Sequence, residues 1–80
     1  MHSIHSPEYQ AFLQRLKSQR LLRGKTQVEV ARALGKPQSF VSKIERGERR
    51  LDPLELKQLA SLYTVSADWL LGKPASKKGK

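Results

Sequence analysis

The chain has no cysteine and only two histidines, His2 and His5. Without thiols there is no disulfide framework, no thiolate nucleophile and no zinc–sulfur site. A reducing compartment fits such a chain. His2 and His5 stand three apart, but no acid or Cys completes a ligand set beside them, so neither a metal nor another cofactor is expected. Long apolar runs are missing too. No stretch approaches the roughly 20 apolar residues that a membrane span needs. The opening residues MHSIHSPEY lack the apolar centre of a signal peptide. Aromatics are few, with one Trp, two Tyr and two Phe scattered along the chain, which leaves no platform for stacking unpaired RNA bases. No Ser-His-Asp set, phosphate-cradling glycine loop or pair of acids is visible, so the chain does not read as an enzyme.

Acids are also scarce. Seven Asp and Glu face sixteen Lys and Arg, a net charge of +9. Such a surface attracts polyanions. No helix here is basic on one face and strongly apolar on the other, so nucleic acid is the favoured partner over a membrane surface. Eighty residues make one domain. A chain of this size buries only about 60–65% of its unfolded surface, which predicts a thin stability margin.

What is present is a run of helix signals. Residues 1–5 read as a flexible end. Ser6 is an N-cap with Pro7 behind it, and a first helix runs to about Arg23, where Gly24 ends it. Tyr9, Phe12, Leu13 and Leu16 fall at i, i+3, i+4 and i+7, an amphipathic stripe. Thr26 and Glu29 form a capping box, so a second helix starts at Gln27 and carries Val28, Val30, Ala31 and Leu34. Gly35 stops it, and Pro37 reopens the chain for a third helix over 38–46. Asp52-Pro53-x-Glu55 starts a fourth helix, which runs to about Tyr63 with Leu56, Leu59, Ala60 and Tyr63 on one face. Ser66 caps a short fifth helix, Ala67 to Leu71, ended by Gly72 and Pro74. The end of the chain from residue 73, KPASKKGK, has four lysines and no large apolar side chain, and reads as a disordered basic tail. The reading is all-α: five helices within 6–72, no strands and no repeat.

Two charges interrupt apolar stripes. Arg20 lies four residues after Leu16, and Glu45 lies four after Val41. An unpaired charge at a core edge is costly. The two are expected to pair and clamp the first helix to the third, unless each snorkels to solvent separately.

The stretch Gln27–Gly47 places two helices around a tight turn, a helix-turn-helix pattern. It resembles the helix-turn-helix of the phage-repressor/Cro (Xre-type) family of DNA-binding regulators. The matching residues are Gln27, Ala31, Gly35, Val41, Ile44 and the Glu45-Arg46-Gly47 ending, with Arg20 before them and Ser66–Gly72 after them. The resemblance covers roughly residues 8–72. It implies a compact lambda-repressor-like five-helix domain and the same Arg20–Glu45 pair. Pro37 departs from the pattern, since the family often has Ser or Thr there as a cap.

The third helix carries Gln38, Ser39, Ser42, Lys43 and Arg46 as one polar stripe. These are groups that suit base edges in the major groove, Gln for adenine and Lys for guanine. The resemblance puts Gln38, Ser39 and Lys43 at positions that commonly meet bases. Ser42 shares the stripe, and Arg46 is long enough for a phosphate. Phe40 fits either the core edge or a thymine methyl. Gln27, Arg49 and Arg50 are further phosphate candidates.

Members of the resembled family usually bind near-palindromic operators as two-fold dimers, so Leu70 and Leu71 on the last helix are candidates for a homodimer surface, with Trp69 largely in the core. The expected function is a cytoplasmic, nucleoid-associated, sequence-specific transcriptional regulator. The competing reading is an antitoxin-type module that covers a toxin-like protein while binding operator DNA.

Overall fold

The computed structural model describes residues 5–73. Local chemistry explains where each helix begins. The Ser6 hydroxyl accepts the Tyr9 N–H at 3.1 Å and opens α1, Pro7–Leu22. Thr26 accepts the Glu29 N–H at 3.0 Å, while the Glu29 carboxylate accepts the Thr26 N–H at 2.8 Å. This reciprocal box opens α2, Gln27–Leu34. Asp52 and Glu55 repeat it at 2.8 and 3.0 Å before α4, Pro53–Tyr63. Ser66 accepts the Trp69 N–H at 2.9 Å before α5, Ala67–Leu70. Such a cap typically contributes about 1 kcal/mol. Among the helices of the described residues only α3, Gln38–Glu45, starts without one, because Pro37 has no side-chain acceptor. No strand occurs among the described residues.

Where α2 ends, Gly35 takes φ 69°, the Gly35 N–H bonds to the Arg32 carbonyl and the Lys36 N–H bonds back to the Ala31 carbonyl. This closure needs a left-handed residue, which glycine adopts without a Cβ penalty. At the end of α4 the same conformation falls on Thr64, φ 59°. The sequence reads Thr64 only as a link. A left-handed L-residue costs roughly 1–2 kcal/mol, so the packing around α4 and α5 must hold it there.

The core forms where the apolar stripes meet. Phe12, Leu13 and Leu16 of α1 cross Val30 and Ala31 of α2 and Val41 and Ile44 of α3. Leu59, Ala60 and Tyr63 of α4 close one side, and Leu70 of α5 closes the end. Burying a Leu or Ile fully contributes about 1.5–3 kcal/mol, and Leu16, Ile44 and Leu70 are essentially inaccessible. Val28, also on α2, is 47% exposed.

Three sequence expectations are corrected. Leu70 is 0% exposed and Leu71 is 56% exposed, so Leu70 is core and cannot offer contact surface to a second copy. The cause is that α5 is a single turn, and Arg15 of α1 ties its end by donating from Nε to the Leu70 carbonyl at 2.8 Å. The third helix ends at Glu45, with Arg46 as its cap, because Gly47 turns left-handed at φ 77°. The fifth ends at Leu70 rather than Leu71. The flexible start and the basic tail expected from the sequence lie, except for His5 and Lys73, outside the described residues.

Candidate nucleic-acid interface

α2 and α3 pack on each other through Val30, Ala31, Val41 and Ile44, which turns the polar stripe of α3 outward. Gln38, Ser39, Lys43 and Arg46 are exposed, and Ser42 is half-buried. Phe40 is 7% exposed and belongs to the core edge.

A hydrogen-bonded chain supports this stripe from beneath. Arg20 donates from Nε to Glu45 Oε2 at 2.6 Å and from Nη2 to Oε1 at 3.1 Å, while its Nη1 reaches the Lys25 carbonyl at 2.8 Å. The two side chains are 8% and 7% exposed. Bidentate charge-assisted bonds of this kind are the stronger ones. Glu45 holds the Arg20 guanidinium above its ordinary range, against the opposing effect of burial. Tyr63 lies beneath, and burial pushes its hydroxyl well above the usual tyrosine range. Gln27 then donates to Glu45 Oε1 at 3.1 Å, and Gln38 donates to Gln27 Oε1 at 3.1 Å. Gln27 is therefore engaged on both its amide nitrogen and its oxygen. Gln38 spends one N–H on this bond. Its carbonyl and second N–H remain outside it, the pair of groups that adenine N6 and N7 require.

A second cluster fixes the turn and the loop after α3. Arg49 donates from Nη1 and Nη2 to both oxygens of Glu55 at 2.9 and 3.1 Å, and its guanidinium lies 4.7 Å from the Phe40 ring centre. Lys36 stands 5.2 Å from the same ring and 3.9 Å from Glu55. Glu55 is buried, and the hydrogen bond from Arg49 holds its carboxyl below the usual range despite desolvation. The sequence showed Glu55 only as a cap. Its pairing with Arg49 crosses a loop, where helical spacing carries no signal. Arg49, expected at a phosphate, thus already has a carboxylate partner, and Arg50 follows it on the exposed loop.

At the far end of α3, Arg46 donates from Nε and Nη2 to Glu48 at 2.8 and 3.1 Å, and from Nη1 to the Ser42 hydroxyl. The Arg46 bonds hold the Glu48 carboxyl below its usual range.

Away from this face, α1, the start of α4 and the end of α5 enclose an apolar groove of about 470 Å³. Tyr9, Phe12, Leu51 and Leu56 line it and Leu71 stands on its wall. No helix among the described residues is long and apolar enough to cross a membrane.

The chain matches the helix-turn-helix family HTH_3 over residues 16–70. It is 43% identical over 67 residues to the HTH-type transcriptional regulator ImmR of Bacillus subtilis (strain 168), across 82% of this chain and 53% of that protein. The chain thus spans about half the length of that curated relative.

Proposed function

Since the chain belongs to the Xre-type helix-turn-helix family of DNA-binding regulators, we propose that it is a sequence-specific transcriptional regulator reading the major groove with α3. Gln38, Ser39, Ser42 and Lys43 are the base-reading side chains. The observation that carries this reading is the chain from Arg20 through Glu45 and Gln27 to Gln38. It fixes an exposed amide in advance, so less side-chain freedom is lost on binding. Lys43 supplies a donor for guanine O6 and N7. The amide end of α2 at Gln27, together with Arg50, would meet phosphates and set the register, and Arg49 would join them only by leaving Glu55. Arg46 would join them only at the expense of its bonds to Glu48 and Ser42. The protein acts by binding alone, in the cytoplasm on nucleoid DNA.

One helix reads few base pairs, whereas specific sites are typically bound at about 10⁻⁸–10⁻¹¹ M. Two copies on a two-fold axis would double the contacts and require a near-palindromic operator, with half-sites about one turn apart. Leu71, 56% exposed on the wall of the apolar groove, is the proposed contact to a second copy.

Selecting bound duplexes from a random pool tests the reading. The wild type should enrich a near-palindrome. Lys43→Ala should lose about 1–3 kcal/mol at that site and relax one base position in each half. An unchanged motif and affinity would overturn the base-reading assignment. Leu71→Glu should keep the helical signal and weak non-specific binding, but lose cooperative binding to the full site, as read by sedimentation and gel shifts on half and full sites. Unchanged cooperativity would move the dimer surface elsewhere.

A further inference from the structure

The cluster at the C-terminal end of α3 is built by the backbone, yet it contributes little to the fold. Gly47 takes φ 77°, its N–H bonds to the Ile44 carbonyl at 3.0 Å, and the Glu48 N–H bonds to the Lys43 carbonyl at 2.8 Å. This closure folds the chain back on the helix. A Cβ on Gly47 would stand 3.2 Å from Leu13 Cδ1, so the turn is packed tightly against α1. Glu48 is thereby delivered to Arg46. The Arg46 Nε and Nη2 donate to the two Glu48 oxygens at 2.8 and 3.1 Å, and Nη1 donates to the Ser42 hydroxyl. All three guanidinium nitrogens are engaged. The two charged side chains are 55% and 53% exposed, and exposed pairs of this kind stabilise folds only weakly.

We propose that Glu48 is a specificity-determining residue: in the free protein its carboxylate holds the place of a DNA phosphate on Arg46 and, through Arg46, orients Ser42. The proposal rests on reading α3 as the DNA-contacting helix. Carboxylate and phosphate present the same bidentate face to a guanidinium, so a phosphate must displace Glu48 to use Arg46. Binding to arbitrary DNA is the sum of such phosphate contacts, and Glu48 removes one from it. The second consequence falls on Ser42. Its oxygen accepts from Arg46, which leaves its O–H to donate. A hydroxyl fixed in that way selects a base edge that offers an acceptor. Without Glu48, Arg46 turns to phosphate, Ser42 loses its orientation, and discrimination falls while affinity for any duplex rises.

The experiment is a salt titration of binding to a random-sequence duplex and to the selected site, with wild type, Glu48→Gln, Arg46→Gln and the double variant. All these side chains are exposed, and circular dichroism checks that the helices persist. Glu48→Gln should bind random duplex more tightly, by up to roughly eightfold at 0.1 M salt, with a log–log salt slope steeper by about 0.9, one phosphate contact. Its ratio of specific to random affinity should drop. In the Arg46→Gln background the same change should leave the slope where it was. A Glu48→Gln protein with unchanged slope, or a gain that survives Arg46→Gln, overturns the proposal. Lys43→Ala on the same duplexes separates the two readings. A normal loss with Lys43→Ala but no coupling between positions 46 and 48 overturns the role of Glu48 alone. No loss with Lys43→Ala overturns both.

Discussion

Glu45 and Glu48 stand three residues apart, and each grips an arginine with both carboxylate oxygens. The geometry is nearly the same and the surroundings are not. The side chains of Arg20 and Glu45 are 8% and 7% exposed, and those of Arg46 and Glu48 are 55% and 53% exposed. The inner pair joins α1 to α3 across the core edge and passes hydrogen bonds on through Gln27 to Gln38. The outer pair joins neighbours in sequence, where water and salt compete for every contact. Depth therefore decides what a carboxylate–arginine pair does. Buried, it is a part of the fold whose loss strands a charge. Exposed, it can be exchanged for another anion, which is what a DNA-binding surface needs.

The largest expected effect follows from the inner pair. Glu45→Ala or Arg20→Ala leaves the partner buried and uncompensated, which typically costs about 3–5 kcal/mol. Folded domains are typically stable by only about 5–15 kcal/mol, so that is a large share of the total. The double replacement should cost less than the sum of the singles, because no charge is then stranded. Urea melts of the three variants give the coupling, and strict additivity would mean that the pair holds nothing together. A smaller effect is expected at Glu55, which lies between the two cases: its carboxylate is buried while its partner Arg49 is 42% exposed. Its folded-state pKa is lowered, chiefly by the hydrogen bond from Arg49. The contribution is therefore complete above the unfolded value of about 4.3 and is lost as pH falls through the folded one. Glu55→Gln should cost about 1–3 kcal/mol at pH 7. It should also fall off less steeply than wild type below about pH 4. Parallel urea midpoints from pH 7 to pH 3 check both, and equal acid slopes would detach Glu55 from acid stability.

Much of this was legible in the sequence, for identifiable reasons. Ser6, Thr26, Asp52 and Ser66 announce their helices because capping is local chemistry. The Arg20–Glu45 contact could be expected because each charge interrupts an apolar stripe of known period. The burial of Leu70 is not legible in the sequence, because a one-turn helix has no period from which to tell its inner face from its outer one. Arg49 with Glu55, and Arg46 with Glu48, were not visible because both pairings run through loops. For Arg46 and Glu48 it is the left-handed residue Gly47, not spacing, that decides which side chains meet. Thr64 gave no signal at all, since a β-branched residue is an unusual carrier of a positive φ.

The smallest expected effect is also the most direct test of depth as the deciding variable. In 1 M salt the Debye length is about 3 Å, compared with about 10 Å at 0.1 M. Ions that reach the exposed Arg46 and Glu48 should screen their attraction almost fully. They cannot enter between Arg20 and Glu45, whose side chains are closed off by the core edge. Urea midpoints of wild type, Glu45→Gln and Glu48→Gln, each measured at 0.1 M and 1 M salt, should then divide in two. The gap between wild type and Glu45→Gln should stay the same at both salt concentrations. The gap between wild type and Glu48→Gln should be slight at 0.1 M and vanish at 1 M. A Glu45 gap that shrank in parallel with the Glu48 gap would mean that solvent reaches both pairs alike, and the distinction between a fold-holding carboxylate and an exchangeable one would be lost.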